Sequence, residues 1–180
     1  GMVINGLMTT GLSGKLASLI LRLGGNIPIL ALLITAVLCI LLGMGMPVAA
    51  AYALTASLAI PSLYELGIPP MAAHLFVVYY STMSAITPPV AVASYAAAGI
   101  SGANATKVGW FACRLGIASF IVPFMFVFSE NLLLSSEAIG LSTLWVVATS
   151  IFGAFALSAS LEGWLLDELN LWQRLIMFVV

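Results

Sequence analysis

The sequence predicts an all-α integral membrane protein. Hydrophobic residues make up 63% of the 180 residues and charged residues only 6%, whereas charged residues approach about a quarter of a soluble domain. Residues 23–64 and residues 66–106 contain no Lys, Arg, Asp or Glu. Each stretch is about twice the roughly 20 residues that one membrane-spanning helix needs. The formal net charge of −1 argues against nucleic acid as a partner.

The first uncharged stretch is interrupted at Gly43–Met44–Gly45–Met46–Pro47. Pro47 has no N–H, so the Gly43 carbonyl loses its helical partner, and the two glycines ease local unwinding. A proline-kinked span is one interpretation. The other is a discontinuous helix that exposes backbone at membrane depth, as secondary transporters do. The residues themselves leave both interpretations open.

The second uncharged stretch contains Ser84–Ala85–Ile86–Thr87–Pro88–Pro89–Val90. The adjacent prolines stop a helix, and the carbonyls of Ser84 and Ala85 lose the donors that residues 88 and 89 would supply. Bare carbonyls are costly in a bilayer unless protein, water or a ligand satisfies them, and a hard cation such as Na⁺ takes oxygen ligands. Two full crossings with a surface turn would fit this stretch. We favour a re-entrant helical hairpin with its tip at Thr87–Pro88–Pro89, because the tip carries no charge.

The flanking regions are simpler. Residues 1–26 predict an amphipathic helix, which either lies on the membrane surface or packs between two bundles. Residues 107–161 predict transmembrane helices: one over 108–134, with Arg114 inside it and a kink at Pro123, and one over 139–161, with a surface crossing at 135–137 between them. Residues 162–180 predict an interfacial segment, with Asp167 and Glu168 among its polar residues, and the start of a truncated helix. Residues 27–106 would form half of a transport domain.

Several single residues have an ordinary structural interpretation. His74 is expected to be a hydrogen-bonded structural histidine, with proton coupling as the alternative. Lys107 and Arg114 are expected to extend toward lipid headgroups, and Cys39 and Cys113 to be buried thiols. The sequence offers no nucleophile–base pair and no metal-ligand cluster, which argues against an enzyme.

Taken in order, these motifs resemble one transporter family, the large membrane subunit of TRAP (tripartite ATP-independent periplasmic) transporters. Within that family the chain is similar to the fused permease type that works with TAXI-class binding proteins. The resemblance covers nearly the whole chain. The motifs that carry it are Gly43–Met44–Gly45–Met46–Pro47, Pro70-x-x-Ala73–His74–Leu75–Phe76, Ile86–Thr87–Pro88–Pro89–Val90, Ala96–Ala97–Ala98–Gly99–Ile100, Arg114–Leu115–Gly116 and Ile121–Val122–Pro123–Phe124.

The resemblance implies an elevator-type secondary transporter of the prokaryotic inner membrane, multi-pass and usually driven by Na⁺. Such subunits contain two inverted repeats, each with an interrupted helix and a re-entrant hairpin, and this chain would hold the second repeat. It would be a C-terminal fragment, since it begins and ends inside hydrophobic sequence. Its partners would be the N-terminal part of the permease, a periplasmic TAXI-type binding protein, membrane lipid and a small, anionic organic solute. A structural or assembly subunit, or a channel piece, is the alternative.

The resemblance also implies site residues, with no cofactor beyond the coupling ion. The cation would be bound near Gly43, Met44, Gly45, Ser84, Thr87, Pro88 and Val90, and the solute near Ser84, Thr87, Pro88 and Pro89. One position departs from the family pattern, because many relatives carry glycine after Thr-Pro-Pro-Val where this chain has Ala91. A backbone conformation reserved for glycine would be strained there.

Overall fold

The computed structural model describes residues 2–24, 27–133, 140–165 and 169–179, and its regular elements are helices. The all-α prediction is therefore confirmed for these residues. The crossing expected at 135–137, Ile139, and the Asp167–Glu168 pair lie outside the described residues. The helices are α1 (Met2–Thr9), α2 (Leu12–Gly24), α3 (Pro28–Gly43), α4 (Val48–Glu65), α5 (Pro70–Met83), α6 (Val92–Ser101), α7 (Ala105–Leu115), α8 (Ile117–Phe128), α9 (Leu141–Glu162) and α10 (Leu171–Val179), with a short 3₁₀ helix at Glu130–Leu133.

Helices α3 and α4 lie side by side and run antiparallel. A Cβ built on Gly43 would lie 3.5 Å from the Cβ of Ala51, and four residues further from the break on each helix, Cys39 contacts Thr55. The chain reverses between them, where Gly45 adopts a φ of +78° that glycine tolerates without a steric cost. The interruption at residues 43–47, which we call the first break, is therefore the tip of a helical hairpin.

Helices α5 and α6 are both fully described, and they do not pack against one another. Helix α5 packs on α3, α4 and α8, whereas α6 packs on α7. The hairpin predicted around Thr87–Pro88–Pro89 is therefore placed wrongly. Residues 84–90, which we call the second break, join two helices that are separated, and the helical hairpin lies at the first break. A proline ends a helix, but the direction of the next helix is set by the surface that it packs against.

The centre of the fold is α5, which the α3–α4 hairpin covers on one side and α8 on another. Phe76 packs edge-to-face on Phe124 of α8 with ring centroids 5.4 Å apart, and the Tyr80 hydroxyl donates to the Phe120 carbonyl. On the hairpin side, the hydroxyls of Thr55 and Ser81 lie 2.8 Å apart in the buried interface. Both surfaces hold α5 in place next to the two breaks.

Helix α3 is apolar on every side, as expected for a helix in contact with lipid. Its inner face is buried through Leu32, Ala36 and Cys39, while its outer face leaves Leu30, Leu33, Val37 and Leu41 between 39% and 56% exposed. A helix that is hydrophobic all round is typical of a membrane environment. Among the described residues, α9 alone is long and apolar enough to cross a membrane by itself, over Thr143–Glu162, and the pair α7 and α8 reaches that length only as one bent span.

The prediction of one continuous helix over 108–134 is wrong. The structure divides it into α7 and α8, which are bent by 41°, and α8 continues through Pro123. The bend falls at Gly116, where an added Cβ would lie 3.2 Å from Cδ1 of Ile86. The bend therefore lies at a contact with Ile86 of the second break, and not at Pro123.

The structure bears on three further expectations, for His74, for the N-terminal helix and for Arg114. His74 is hydrogen-bonded, with Nδ1 2.6 Å from the Tyr52 hydroxyl and Nε2 3.1 Å from the Tyr64 hydroxyl. Helix α2 packs on the hairpin through buried Ala17 and Ile20, which favours the packed amphipathic helix. Arg114 joins α7 to the end of α9, since its Nη2 donates to the carbonyls of Leu161 and Glu162 at 3.1 Å.

Ala91, the residue that replaces the family glycine, is the only described non-glycine residue with a positive φ, at +35°. A left-handed conformation costs such a residue roughly 1–2 kcal/mol, and the added freedom of glycine in the unfolded chain offsets about 0.4–1 kcal/mol of any relief. We predict that Ala91→Gly stabilises the protein by about 1 kcal/mol, seen as a higher midpoint of thermal unfolding in detergent.

Ala96→Gly is the matched control, because Ala96 is exposed inside α6 with ordinary helical geometry. Glycine there should lower the midpoint, since glycine is about 0.8–1 kcal/mol worse than alanine in a helix. A lower midpoint for Ala91→Gly as well would contradict the strained conformation.

Candidate functional site

The two breaks meet in the structure. A Cβ added to Gly43 would lie 2.6 Å from Oγ of Ser84, and a Cβ added to Gly45 would lie 3.6 Å from Cγ1 of Val90. The tip of the α3–α4 hairpin thus contacts the segment between α5 and α6 at both ends. Residues predicted from two separate motifs form one cluster.

Two of the carbonyls expected to be bare have partners. The Ala85 carbonyl accepts a hydrogen bond from the Ala93 N–H at 3.0 Å, and the Gly43 carbonyl accepts one from the Met46 N–H at 3.3 Å. Each carbonyl has lost the helical donor that a proline replaces, as expected, but it is not bare. A turn before Pro47 supplies the Met46 N–H, and the chain after Pro89 supplies the Ala93 N–H. Each oxygen retains a second lone pair.

Six other carbonyls in the breaks accept no hydrogen bond from any residue that the structure describes: those of Met44, Gly45, Met46, Ser84, Pro88 and Val90. An unsatisfied carbonyl is costly away from water, and neutral carbonyl oxygens are ligands that a hard cation takes. All of them except Met46 belong to the residues that the sequence predicted for cation binding.

The hydroxyls of Ser84 and Thr87 bond within their own segment. Ser84 Oγ donates to the Ser81 carbonyl at 2.6 Å, and Thr87 Oγ1 donates to the Met83 carbonyl at 2.7 Å. Such local bonds fix the side chain, and the oxygen can still accept or coordinate. Ser84 is only 2% exposed and faces Gly43.

Helix ends provide the electrostatics of the cluster. The carbonyl ends of α3 and α5 and the amide ends of α4 and α6 all lie at the two breaks. A helix C-terminus carries a partial negative charge that favours a cation, and an N-terminus carries a partial positive charge that favours an anion. Neither break contains an ionisable side chain. The cluster can therefore hold a cation and an anionic group side by side without a formal charge of its own.

A cavity of about 270 Å³ opens on the far side of the prolines. Pro88 and Pro89 line it together with Ala91, Tyr95, Thr106 and Trp110, and the Tyr95 hydroxyl donates to the Pro89 carbonyl at 2.9 Å. Ser84 and Thr87, which the sequence also proposed for solute binding, are not among its lining residues.

Sequence reasoning missed Tyr95, Thr106 and Trp110. Helix α7 brings two of them to the cavity because Gly109 lets it approach the break, where an added Cβ would lie 3.1 Å from Cγ of Pro88. The only local signal was a glycine beside a tryptophan on an amphipathic segment, and it does not identify the surface that the helix approaches.

The fold and this cluster define a helical membrane protein with two interrupted elements that meet in a site built mainly from backbone. Residues 1–140 match the family model described as the DctM component of the tripartite ATP-independent periplasmic transporter. The chain belongs to this family, so it is a component of a membrane transporter rather than a member of an enzyme family, and the resemblance to the large TRAP subunit is confirmed. No curated protein and no solved structure matches the chain.

We predict that Gly43→Ala destabilises the protein, because the new Cβ would overlap Oγ of buried, hydrogen-bonded Ser84. Overpacking of this kind costs typically about 1–3 kcal/mol. The measurement is the midpoint of thermal unfolding in detergent. The double variant Gly43→Ala/Ser84→Ala should recover part of the loss, since the closest atom is removed.

Gly99→Ala is the control, because nothing lies within 4 Å of a Cβ at that position in α6. It should leave the midpoint unchanged or raise it. Equal midpoints for Gly43→Ala and the parent protein would show that the two breaks are not in close contact.

Proposed function

We propose that the chain is the membrane permease component of a Na⁺-coupled secondary transporter in the prokaryotic inner membrane. It imports a small, anionic organic solute that a periplasmic TAXI-type binding protein delivers. The observation that carries the proposal is the cluster of six unpartnered carbonyls where the hairpin tip meets the second break. The family supports transport, and the cluster suggests what drives it.

In this proposal Na⁺ is bound by the carbonyls of Met44, Gly45, Ser84, Pro88 and Val90, with Gly43 and Thr87 completing the oxygen set. Neutral ligands lower the affinity of a site relative to carboxylates, since ligand charge tunes cation binding. A transported ion must also leave its site in every cycle, and weak neutral ligands suit that requirement.

The solute occupies the cavity next to Pro88 and Pro89. Its negative charge lies near the amide end of α6, whose N-cap Ala91 lines the cavity, and close to the bound cation, so each charge lowers the cost of burying the other. Ser84 and Thr87 then serve the cation rather than the solute, because they do not line the cavity. This division gives a direct electrostatic reason for coupling.

The architecture that we propose has the α3–α4 hairpin entering the membrane without crossing it, and α5 and α6 forming the interrupted helix. Helix α3 has 16 residues and spans about 24 Å, less than the hydrocarbon core of about 30 Å. These elements constitute the moving half of an elevator-type transport domain over residues 27–106, with residues 1–26 as an arm helix. The N-terminal part of the permease supplies the other repeat.

The alternative is a structural or assembly subunit, or a channel piece, in which the prolines only shape packing. Both functions accommodate the hairpin and the second break. They differ in whether the carbonyl cluster binds a cation, which can be measured without knowing the solute.

We predict that Pro88→Ala weakens Na⁺ binding by roughly tenfold or more, equivalent to about 1.4 kcal/mol or more. Alanine supplies an N–H to which the Ser84 carbonyl can bond if the helix continues, and the cation then loses that ligand. Binding of radioactive sodium to the purified full-length permease measures the effect. Thr87→Ala should cost less, since it removes one hydroxyl.

Pro61→Ala is the matched control, since Pro61 also interrupts helical hydrogen bonding but lies inside α4 away from the site. It should leave Na⁺ binding unchanged, and potassium should not replace sodium in either protein. Undiminished Na⁺ binding in folded Pro88→Ala protein would show that the cluster does not bind the ion, and a parent protein that binds no Na⁺ would favour the scaffold alternative.

A further inference from the structure

A second cavity lies between α7 and the end of α9, where the membrane surface is expected. Helix α9 has 22 residues and spans about 33 Å, close to the hydrocarbon thickness of about 30 Å. Glu162 is its only charged residue and stands at its end. Trp164 follows and is 59% exposed, as is typical of aromatic residues at a membrane interface.

This cavity measures about 230 Å³. Arg114 and Glu162 form what we call its polar end, and the other lining residues are Leu115, Phe155, Ser158, Ala159, Trp164 and Leu165. Phe155 and Leu115 are both more than half exposed. Phe155 precedes Glu162 by two helical turns, about 10 Å toward the hydrocarbon. The cavity therefore runs from headgroup depth into the acyl-chain layer.

The polar end presents one positive and one negative side chain. Arg114 Nε lies 3.4 Å from Glu162 Oε2, and the two side chains are 50% and 39% exposed. No described residue accepts a hydrogen bond from Nη1 of Arg114, and none donates one to Oε1 of Glu162. Arg174 packs over Gly163 and does not line the cavity. Among the residues that the structure describes, the charged side chains lining the cavity thus sum to zero.

We infer that this cavity binds a zwitterionic phospholipid whose headgroup ends in a primary amine, as in phosphatidylethanolamine. The lipid phosphate accepts hydrogen bonds from the free side of the Arg114 guanidinium, and the ammonium group donates to the Glu162 carboxylate. One acyl chain lies along Leu115 and Phe155. A choline headgroup has no N–H to donate, and the glycerol of phosphatidylglycerol offers only neutral hydroxyls, which form weaker bonds to a carboxylate than an ammonium group does.

The test uses the delipidated full-length protein and synthetic lipids that share acyl chains and differ only in headgroup. Native mass spectrometry should show phosphatidylethanolamine retained with roughly tenfold higher apparent affinity than phosphatidylcholine, the difference expected from one charge-assisted hydrogen bond. Phosphatidylglycerol should also be retained less. Equal retention of the amine and choline lipids, or stronger retention of phosphatidylglycerol, would overturn the inference.

Glu162→Gln keeps the shape of the side chain and the backbone carbonyls that Arg114 contacts, so it tests the carboxylate alone. It should abolish the preference for the amine over the choline headgroup while leaving Na⁺ binding unchanged. Glu65→Gln is the matched control, because Glu65 is an exposed carboxylate at the end of α4, and it should preserve the preference. A preference that survives Glu162→Gln would also overturn the inference.

Discussion

The structure depends on an elementary property of proline, which has no N–H to donate. Pro47, Pro88 and Pro89 stop helical hydrogen bonding at two places, and packing on α5 brings these places together. In a low-dielectric setting each bare carbonyl is a local cost, but a cluster of them favours positive charge. Small residues make the contact possible, since Gly43 leaves room for Ser84 and Gly45 lets the chain reverse.

The meeting of the two breaks also has an electrostatic consequence. Four helix ends converge at the breaks, two contributing carbonyls and two contributing amides. Partial charges of both signs are then held by backbone whose geometry the surrounding helices fix, and no side chain needs to change its protonation state. His74, the only histidine, is engaged by two tyrosine hydroxyls on α4.

The positions of the breaks could be predicted from sequence, because the effects of Pro47, Pro88 and Gly45 are local. The direction of the chain after each break could not, because it depends on which surface the next helix contacts. For the same reason the bend lies at Gly116, against Ile86, rather than at Pro123. Most predicted site residues form the cluster, but the aromatic residues of the cavity were missed. Tyr95 lies on α6, and Trp110 lies on α7, a helix that follows the motif by more than a dozen residues.

Helix α7 joins two distant parts of the molecule. Gly109, near its middle, packs closely on Pro88. Arg114, at its C-terminal end, donates hydrogen bonds to the last carbonyls of α9. Its 11 residues span about 16 Å. The proline segment and the end of α9 are therefore attached to the same short helix, so the geometry of the cavity beside Pro88 depends on a contact made at the other end of α7.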